Sequence, residues 1–273
     1  MILDTLAAAS KERAEKAKSL IPLKQMVKQA EMALENADRT VGRFAFEKAL
    51  SSPEISFICE VKRASPSKGL IAPDFPYIQI AREYEEAGAS AISVLTEPKY
   101  FMGSNDYLTE ISRHVSLPLL RKDFTVDPYQ IYEAKAIGAS AVLLICALLN
   151  TEQLREAIRL CDALGLSALV EAHDQEEVLS GLRAGARIIG VNNRNLKTFT
   201  VDFNNSIRLR HLVPKEVLFV AESGIRNGED LKRLKEAEVS AVLIGETMMR
   251  APDKRAVLEQ LSACNISNAE AAP

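Results

Sequence analysis

Eight short apolar runs, separated by amphipathic stretches, constrain the fold of this chain more than any other feature. Short runs without polar alternation are typical of strands that are buried on both faces of a parallel sheet. The stretches between them predict helices, and a strict strand–helix alternation predicts a parallel sheet. The runs lie near residues 56–62, 91–95, 118–123, 141–145, 167–171, 187–192, 217–222 and 241–245.

A weak internal repeat supports this alternation. Residues 87–94 return as 137–144 and again as 184–191, and residues 238–244 are an echo that lacks the glycine. Each copy predicts a helix that is ended by glycine and followed by a strand. We therefore predict the α/β class and a (β/α)8 TIM barrel over residues 51–263, because eight units favour closure. No GxGxxG follows the first run, which weakens a doubly wound dinucleotide-binding fold.

Residues 1–50 precede the first run. They have a helical pattern rich in Ala, Lys and Glu, interrupted near Pro22, and predict an N-terminal helical extension. Two placements remain open, a cap on the barrel floor or an arm over the catalytic mouth. Residues 264–273 are expected to form a disordered tail.

The composition excludes several classes of protein. A net charge of -3 gives no basic surface for nucleic acid. The longest apolar stretch, 141–149, is too short to cross a bilayer, which takes about 20 residues. No signal-peptide pattern opens the chain, and its four cysteines and three histidines have no metal-ligand spacing. We expect a cytoplasmic protein with neither membrane nor metal.

Polar side chains stand at the carboxyl ends of five of these runs. Alternation along a strand places Glu60 on the same face as Ile58, and Lys122 on the same face as Leu120. If the apolar members fill the barrel, the polar members meet above it, at the face where TIM barrels carry their chemistry. The residues predicted to meet there are Glu60, Lys62, Lys122, Glu171, Asn192, Arg194 and Glu222.

Two glycine-containing loops predict a phosphate site. Ser223-Gly224 follows the seventh run, and Gly245-Glu246 follows the eighth. Backbone N–H groups in such loops bind phosphate, and the loops after strands seven and eight are its usual position in a TIM barrel.

These motifs, in this order, resemble the indole-3-glycerol phosphate synthase family. The resemblance runs from residue 1 to about 262 and includes the helical segment before the first strand. The motifs that carry it are Glu60-x-Lys62-x-x-Ser65-Pro66-Ser67-x-Gly69, Leu120-Arg121-Lys122-Asp123-Phe124, Glu171-Ala172-His173-Asp174, the sequence GVNNRNL at 190–196, Glu222-Ser223-Gly224-Ile225, and Gly245-Glu246.

The resemblance implies a lyase of tryptophan biosynthesis that needs no metal or organic cofactor. The implied substrate is 1-(2-carboxyphenylamino)-1-deoxyribulose 5-phosphate, which undergoes ring closure, decarboxylation and dehydration. Lys122 is implied as the acid that protonates the ketone oxygen, and Glu171 as the acid/base of dehydration. Glu60, Lys62 and Asn192 complete the implied catalytic set.

The remaining implied residues bind the substrate. They are Ser65, Phe124, Arg194, Glu222, Ser223, Gly224, Gly245 and Glu246. Glu246 stands where some members of the family have Ser. Since a carboxylate would repel phosphate, we expect only its backbone N–H to bind, with the side chain turned away. His173 is expected to support the site from a loop.

Two other functions remain open. A different phosphosugar barrel, such as the isomerase of the preceding step, would not explain the Ser65-Pro66-Ser67 loop. A non-catalytic barrel that binds a phosphorylated metabolite would not need both Lys122 and Glu171. The expected partner is a phosphorylated small molecule bound by a monomer, and other enzymes of the tryptophan pathway are further candidates.

Overall fold

Eight parallel strands close into a barrel. The structure, a computed structural model, describes residues 2–38, 42–195 and 198–263. The predicted tail, 264–273, and Leu196 therefore lie outside the described residues. The barrel strands are β1 Ser56–Val61, β2 Ala91–Leu95, β3 Leu119–Lys122, β4 Ala141–Ile145, β5 Ser167–Ala172, β6 Ile188–Asn192, β7 Leu218–Glu222 and β8 Ala241–Ile244.

The first and last strands close the barrel by pairing with each other. Ser56 is in register with Ala241 of β8, while Ile58 is in register with Ala91 of β2. The order around the barrel follows the order in the sequence. The predicted (β/α)8 TIM barrel is confirmed, and the ends of each strand lie within one residue of the prediction.

Helices alternate with these strands around the barrel. A two-stranded hairpin, Ala64–Ser65 with Gly69–Leu70, interrupts the loop after β1. Within the described ranges, no helix combines the length and the apolar character needed to span a bilayer. The helices outside the extension are α4 Tyr77–Glu86, α5 Asn105–Ile111, α6 Pro128–Ala136, α7 Thr151–Ala163, α8 Gln175–Ala184, α9 Asn204–Arg210, α10 Gly228–Glu236, α11 Glu246–Arg250 and α12 Lys254–Ala263.

Local sequence fixes where these helices begin. Asp127 caps α6 with a complete capping box and Pro at the first helical position, and Asn227 caps α10. Asp174 caps α8 by accepting from the Glu177 N–H. The Glu177 carboxylate, however, accepts from the His173 N–H instead of completing a box.

The barrel interior confirms the predicted alternation. Ile58, Leu120, Leu169 and Val220 belong to one buried cluster inside the barrel. Their apolar sequence neighbours point outwards into a second cluster between strands and helices. The polar residues two positions after these four are therefore directed along the interior towards the carboxyl end.

Helices α1 Ile2–Leu20, α2 Leu23–Asp38 and α3 Ala45–Ala49 precede β1 and reach both ends of the barrel. On the floor, Phe46 of α3 enters the interior cluster, and the Glu47 N–H donates to Ser167 Oγ at the start of β5. At the mouth, Leu3 and Leu6 of α1 line the main cavity. Both placements suggested by the sequence thus occur, in different helices. The division into an extension of 1–50 and a barrel of 51–263 stays a prediction.

Replacing Phe46 with Ala should lower the free energy of unfolding by about 3–5 kcal/mol, since a fully buried ring leaves a cavity that the rigid barrel cannot fill. The KM for substrate should stay within twofold, because Phe46 lies at the end opposite the mouth. Urea unfolding and steady-state kinetics check both values. Leu20→Ala, at an exposed position, is the control; equal losses in the two variants would contradict the role of Phe46.

Candidate active site

A cavity of about 620 Å³ opens at the carboxyl end of the barrel strands. All thirteen residues that the sequence predicts for the site line this cavity. They are Glu60, Lys62, Ser65, Lys122, Phe124, Glu171, Asn192, Arg194, Glu222, Ser223, Gly224, Gly245 and Glu246. Their shared position is observed, whereas the role of each remains a prediction.

Lys122 lies between two carboxylates at the bottom of the cavity. Its Nζ donates to Glu171 Oε2 at 3.0 Å and lies 3.4 Å from Glu222 Oε2. The three side chains come from β3, β5 and β7, which are alternate strands of the barrel. Closure of the barrel brings their ends together, and both carboxylates are almost completely buried.

Burial and neighbouring charges oppose each other in this cluster. Burial acts to lower the pKa of Lys122, but the charges of Glu171, Glu222 and Glu60 together raise it well above its usual value. Burial acts to raise the pKa of Glu171, yet Lys122, His173 and a hydrogen bond from Asn192 leave it lowered. At neutral pH the Lys122–Glu171 pair is therefore ionised.

Glu222 behaves differently from Glu171. Burial, opposed by Lys122 but reinforced by the charges of Glu171 and Glu60, raises its pKa to about 7. Among the described residues, its Oε1 is buried without a hydrogen-bond partner. With a pKa of about 7, Glu222 is partly protonated near neutral pH, and one of its oxygens has no hydrogen-bond partner.

Two glycines let these carboxylates come close to neighbouring backbone. A Cβ at position 190 would lie 2.5 Å from Glu222 Oε1, and one at position 245 would lie 2.5 Å from Glu60 Oε1. Glu60 and Lys62 form an ion pair beside Gly245. A side chain at 190 or 245 would therefore displace the Glu222 or the Glu60 carboxylate from its observed position.

Asn192 joins the loops after β6 and β7. Its Oδ1 accepts from the Arg194 N–H at 3.0 Å and from Ser223 Oγ at 3.1 Å. Arg194 is also held by its loop, because its Nη1 donates to the Phe199 carbonyl at 3.3 Å. The Asn192 side chain thus fixes two of the predicted binding loops relative to each other.

Both predicted phosphate loops line the cavity. Ser223 and Gly224 have φ values of 69° and 87°, and a Cβ at 224 would lie 2.7 Å from Val201 Cγ1. Gly245 immediately precedes α11. The Glu246 carboxylate lies 3.4 Å from Lys68 Nζ and accepts from Arg250 Nε at 3.2 Å. These two cations offset the charge that would repel phosphate.

His173 supports the cluster from outside the cavity lining, as its loop position predicts. Its Nδ1 lies 3.1 Å from Glu177 Oε2, and its Nε2 lies 3.5 Å from Glu171 Oε1. Burial acts against its charge, but Glu177 and Glu171 raise its pKa above the usual value.

Several lining residues were missed by the sequence reasoning. Leu3, Leu6 and Phe101 also line the cavity, and Lys68 adds a cation. Lys68 could have been identified, because it lies within the Ser-Pro-Ser-Lys-Gly loop of the first motif. Leu3, Leu6 and Phe101 belong to no motif, and only the folded chain shows that they reach the mouth. In the described part of the chain, no group of His, Cys, Asp and Glu could hold a metal ion.

Comparison with known proteins agrees along almost the whole chain. Residues 3–261 match the family model described as indole-3-glycerol phosphate synthase. A relative of that name from Ruminiclostridium cellulolyticum is 57% identical over 261 residues, covering 96% of this chain and 98% of the relative. Another, from Endomicrobium trichonymphae, is 56% identical over 252 residues, covering 92% of this chain and 95% of the relative.

Solved structures of other barrels share the fold at low identity. A 3-hexulose-6-phosphate synthase from Salmonella typhimurium has a TM-score of 0.63 at 12% identity, covering 77% of this chain and 98% of that chain. A thiamine phosphate pyrophosphorylase from Pyrococcus furiosus has a TM-score of 0.57 at 18% identity, covering 78% of this chain and 95% of that chain. These likenesses show the barrel fold alone.

Glu222→Gln should change how stability depends on pH. The folded-state pKa of about 7 lies above the ordinary 4.5, so the native state binds the extra proton and wild-type stability falls as pH rises through this window. Gln does not titrate. Relative to wild type, the variant should therefore gain about 1–3 kcal/mol between pH 5 and pH 8.

Urea unfolding at both pH values measures this difference. Glu259→Gln, which changes an exposed carboxylate by the same chemistry, is the matched control and should leave it unchanged. A Glu222→Gln effect that is equal at the two pH values would show that Glu222 does not titrate in this window.

Proposed function

Because this chain belongs to the indole-3-glycerol phosphate synthase family and shares its lyase activity in tryptophan biosynthesis, we propose that Lys122 is the acid that starts its reaction. The enzyme converts 1-(2-carboxyphenylamino)-1-deoxyribulose 5-phosphate to indole-3-glycerol phosphate with loss of CO2 and water. The observation that carries the proposal is the ammonium group of Lys122, held between Glu171 and Glu222 at the bottom of the cavity. Family membership also removes the isomerase and the non-catalytic alternatives.

Ring closure joins an aromatic carbon to the ketone carbon, and negative charge develops on the ketone oxygen. A fixed cation among buried side chains stabilises that charge and can donate the proton. Lys122 has this character, because three carboxylates raise its pKa and keep it protonated in the free enzyme. Loss of CO2 then restores the electrons of the new ring.

Dehydration needs a group that removes a proton and a group that protonates the departing hydroxyl. We assign this acid/base work to Glu171, which is ionised beside Lys122 and can exchange a proton with it across 3.0 Å. Glu60 and Asn192 position the reacting groups. Glu222, with one unpaired oxygen, is suited to hydrogen-bond a substrate hydroxyl.

The two ends of the substrate carry negative charge and need cationic or N–H partners. We assign the phosphate to the loops at Ser223-Gly224 and Gly245-Glu246, with Lys62, which directly follows the neighbouring β1, within reach of Gly245. Arg194 faces the carboxylate or the phosphate, and Ser65 lies on the loop after β1. Phe124 supplies an apolar wall for the aromatic ring.

We also propose a cytoplasmic monomer. Cys59, Cys146 and Cys161 are free thiols, and Cys59 and Cys161 are fully buried, which suits a reducing compartment. Other enzymes of the pathway remain candidate partners. Sedimentation velocity at micromolar concentration tests this proposal: a monomer gives a mass of 30.0 kDa, and a larger mass would contradict it.

Lys122→Met should reduce kcat by at least about 10²–10⁴-fold, the range that general acid catalysis contributes. Methionine keeps the unbranched shape of the side chain but carries neither charge nor proton. Single-turnover assays, monitored by the indole fluorescence of the product, measure the loss. Lys232→Met, at an exposed position on α10, is the control. Turnover near the wild-type rate in Lys122→Met would exclude Lys122 as the acid.

Inorganic phosphate should compete with substrate, raising KM without changing kcat. Glu246→Gln should strengthen this inhibition by about two- to fivefold, since removing a carboxylate at a helix N-terminus is worth about 0.3–1 kcal/mol to a bound anion. Inhibition constants at fixed ionic strength measure the change, with Glu259→Gln as the control. If inorganic phosphate does not compete with substrate, the assignment of the substrate phosphate to these loops is wrong.

A further inference from the structure

Arg13 of helix α1 contacts two buried carboxylates at the mouth of the barrel. Its Nη2 donates to Asp123 Oδ1 at 2.5 Å, and its Nη1 lies 3.6 Å from Glu97 Oε1. Both carboxylate side chains are only 1% exposed, whereas Arg13 is 27% exposed. Buried carboxylates require a compensating charge. Arg13 supplies it to both carboxylates from the extension, and the buried Arg121 of β3, 3.7 Å from Asp123 Oδ2, adds a second cation at Asp123.

Asp123 connects this contact to the end of β3. It directly follows Lys122, and its Oδ1 also accepts from the Phe124 N–H at 2.8 Å. Its Oδ2 accepts from Thr96 Oγ1 at 2.7 Å. The carboxylate therefore fixes the backbone on the carboxyl side of Lys122.

A second attachment lies one turn away on the same helix. Ser10 is fully buried, its Oγ donates to the Phe124 carbonyl at 2.5 Å, and the same Oγ accepts from Gln130 Nε2 at 2.9 Å. Positions 10 and 13 lie on one face of α1. The helix thus holds both backbone groups of Phe124, one directly and one through Asp123.

Glu97 extends the contact to the loop after β2. Its carboxylate accepts from the N–H groups of Lys99, Tyr100 and Phe101. The ring of Phe101 lies 6.1 Å from the ring of Phe124, and both rings line the cavity. Arg13 is therefore the one described residue that contacts the carboxylates holding both of these rings.

We propose that Arg13 is a positioning residue for the reaction: through Asp123 it holds the end of β3 so that the Lys122 ammonium points at the reacting ketone. Arg13 does not line the cavity, so we assign it no direct role in binding the substrate. The proposal rests on the assignment of Lys122 as the acid. Under this proposal the N-terminal extension affects catalysis through one side chain, that of Arg13.

Arg13→Gln should lower kcat by about 10–100-fold, the range expected when a reacting group is misplaced by about 1 Å, while KM changes less than threefold. Arg13→Lys keeps a cation near Asp123 and should recover part of the loss. Lys16→Gln removes one positive charge from an exposed position on the same helix and should leave kcat unchanged. Rates are expressed per folded molecule, from unfolding curves recorded at the assay temperature.

The double variant Arg13→Gln/Asp123→Asn removes the buried charge that Arg13 leaves behind. It should regain stability while kcat stays low, because the Arg13–Asp123 contact is still missing. Recovery of wild-type kcat in the double variant, or a kcat within threefold of wild type in Arg13→Gln, would overturn the proposal. If Lys122→Met is inactive and Arg13→Gln is fully active, the positioning role of Arg13 is refuted and the assignment of Lys122 as the acid stands. If Lys122→Met is active, the assignment of Lys122 as the acid is refuted.

Discussion

The balance of two ammonium groups, those of Lys62 and Lys122, against three carboxylates is the interaction on which the site depends. Glu60, Glu171 and Glu222 project from alternate strands and are buried, and like charges are costly in a buried site. The two lysines make this arrangement tolerable, and partial protonation of Glu222, whose pKa is raised to about 7, reduces the remaining charge. Closure of the barrel creates the problem, because it forces the ends of these strands together. Closure also brings Lys122, at the end of β3, next to Glu171 and Glu222.

Much of this arrangement could be predicted from the sequence, because the side-chain period of a strand is two. Glu60 follows Ile58 at that interval, and Lys122 follows Leu120, so the apolar pattern determined which polar residues would face the cavity. The glycines of the internal repeat likewise predicted where helices end and the following strands begin. The fourth copy of the repeat, residues 238–244, could not be predicted in this way, because it lacks the glycine. Glu238 nevertheless adopts a left-handed φ of 57°, the backbone region that Gly88, Gly138 and Gly185 occupy in the other copies.

The parts that could not be predicted depend on contacts between distant segments. Nothing in the pattern of α1 distinguishes Ser10 and Arg13 from the other polar residues of an amphipathic helix. Their significance comes from Asp123 and Phe124, which the sequence places in a motif but not beside α1. Likewise, the pairing of Glu246 with Lys68 requires that the loops after β8 and β1 meet, and loop conformation has no short-range signal here.

The extension is synthesised well before the residues to which it bonds in the folded chain. Ser10 and Arg13 bond to residues 114 and 110 positions further along, and Glu47 bonds to a serine 120 positions away. Phe46 fills an interior that does not exist until β8 pairs with β1. The extension therefore leaves the ribosome with its apolar face uncovered, and Phe46 cannot complete its contacts until the barrel has closed. Maturation of the catalytic mouth is consequently among the last events of folding, and a chain arrested before β8 lacks both a closed barrel and a floor.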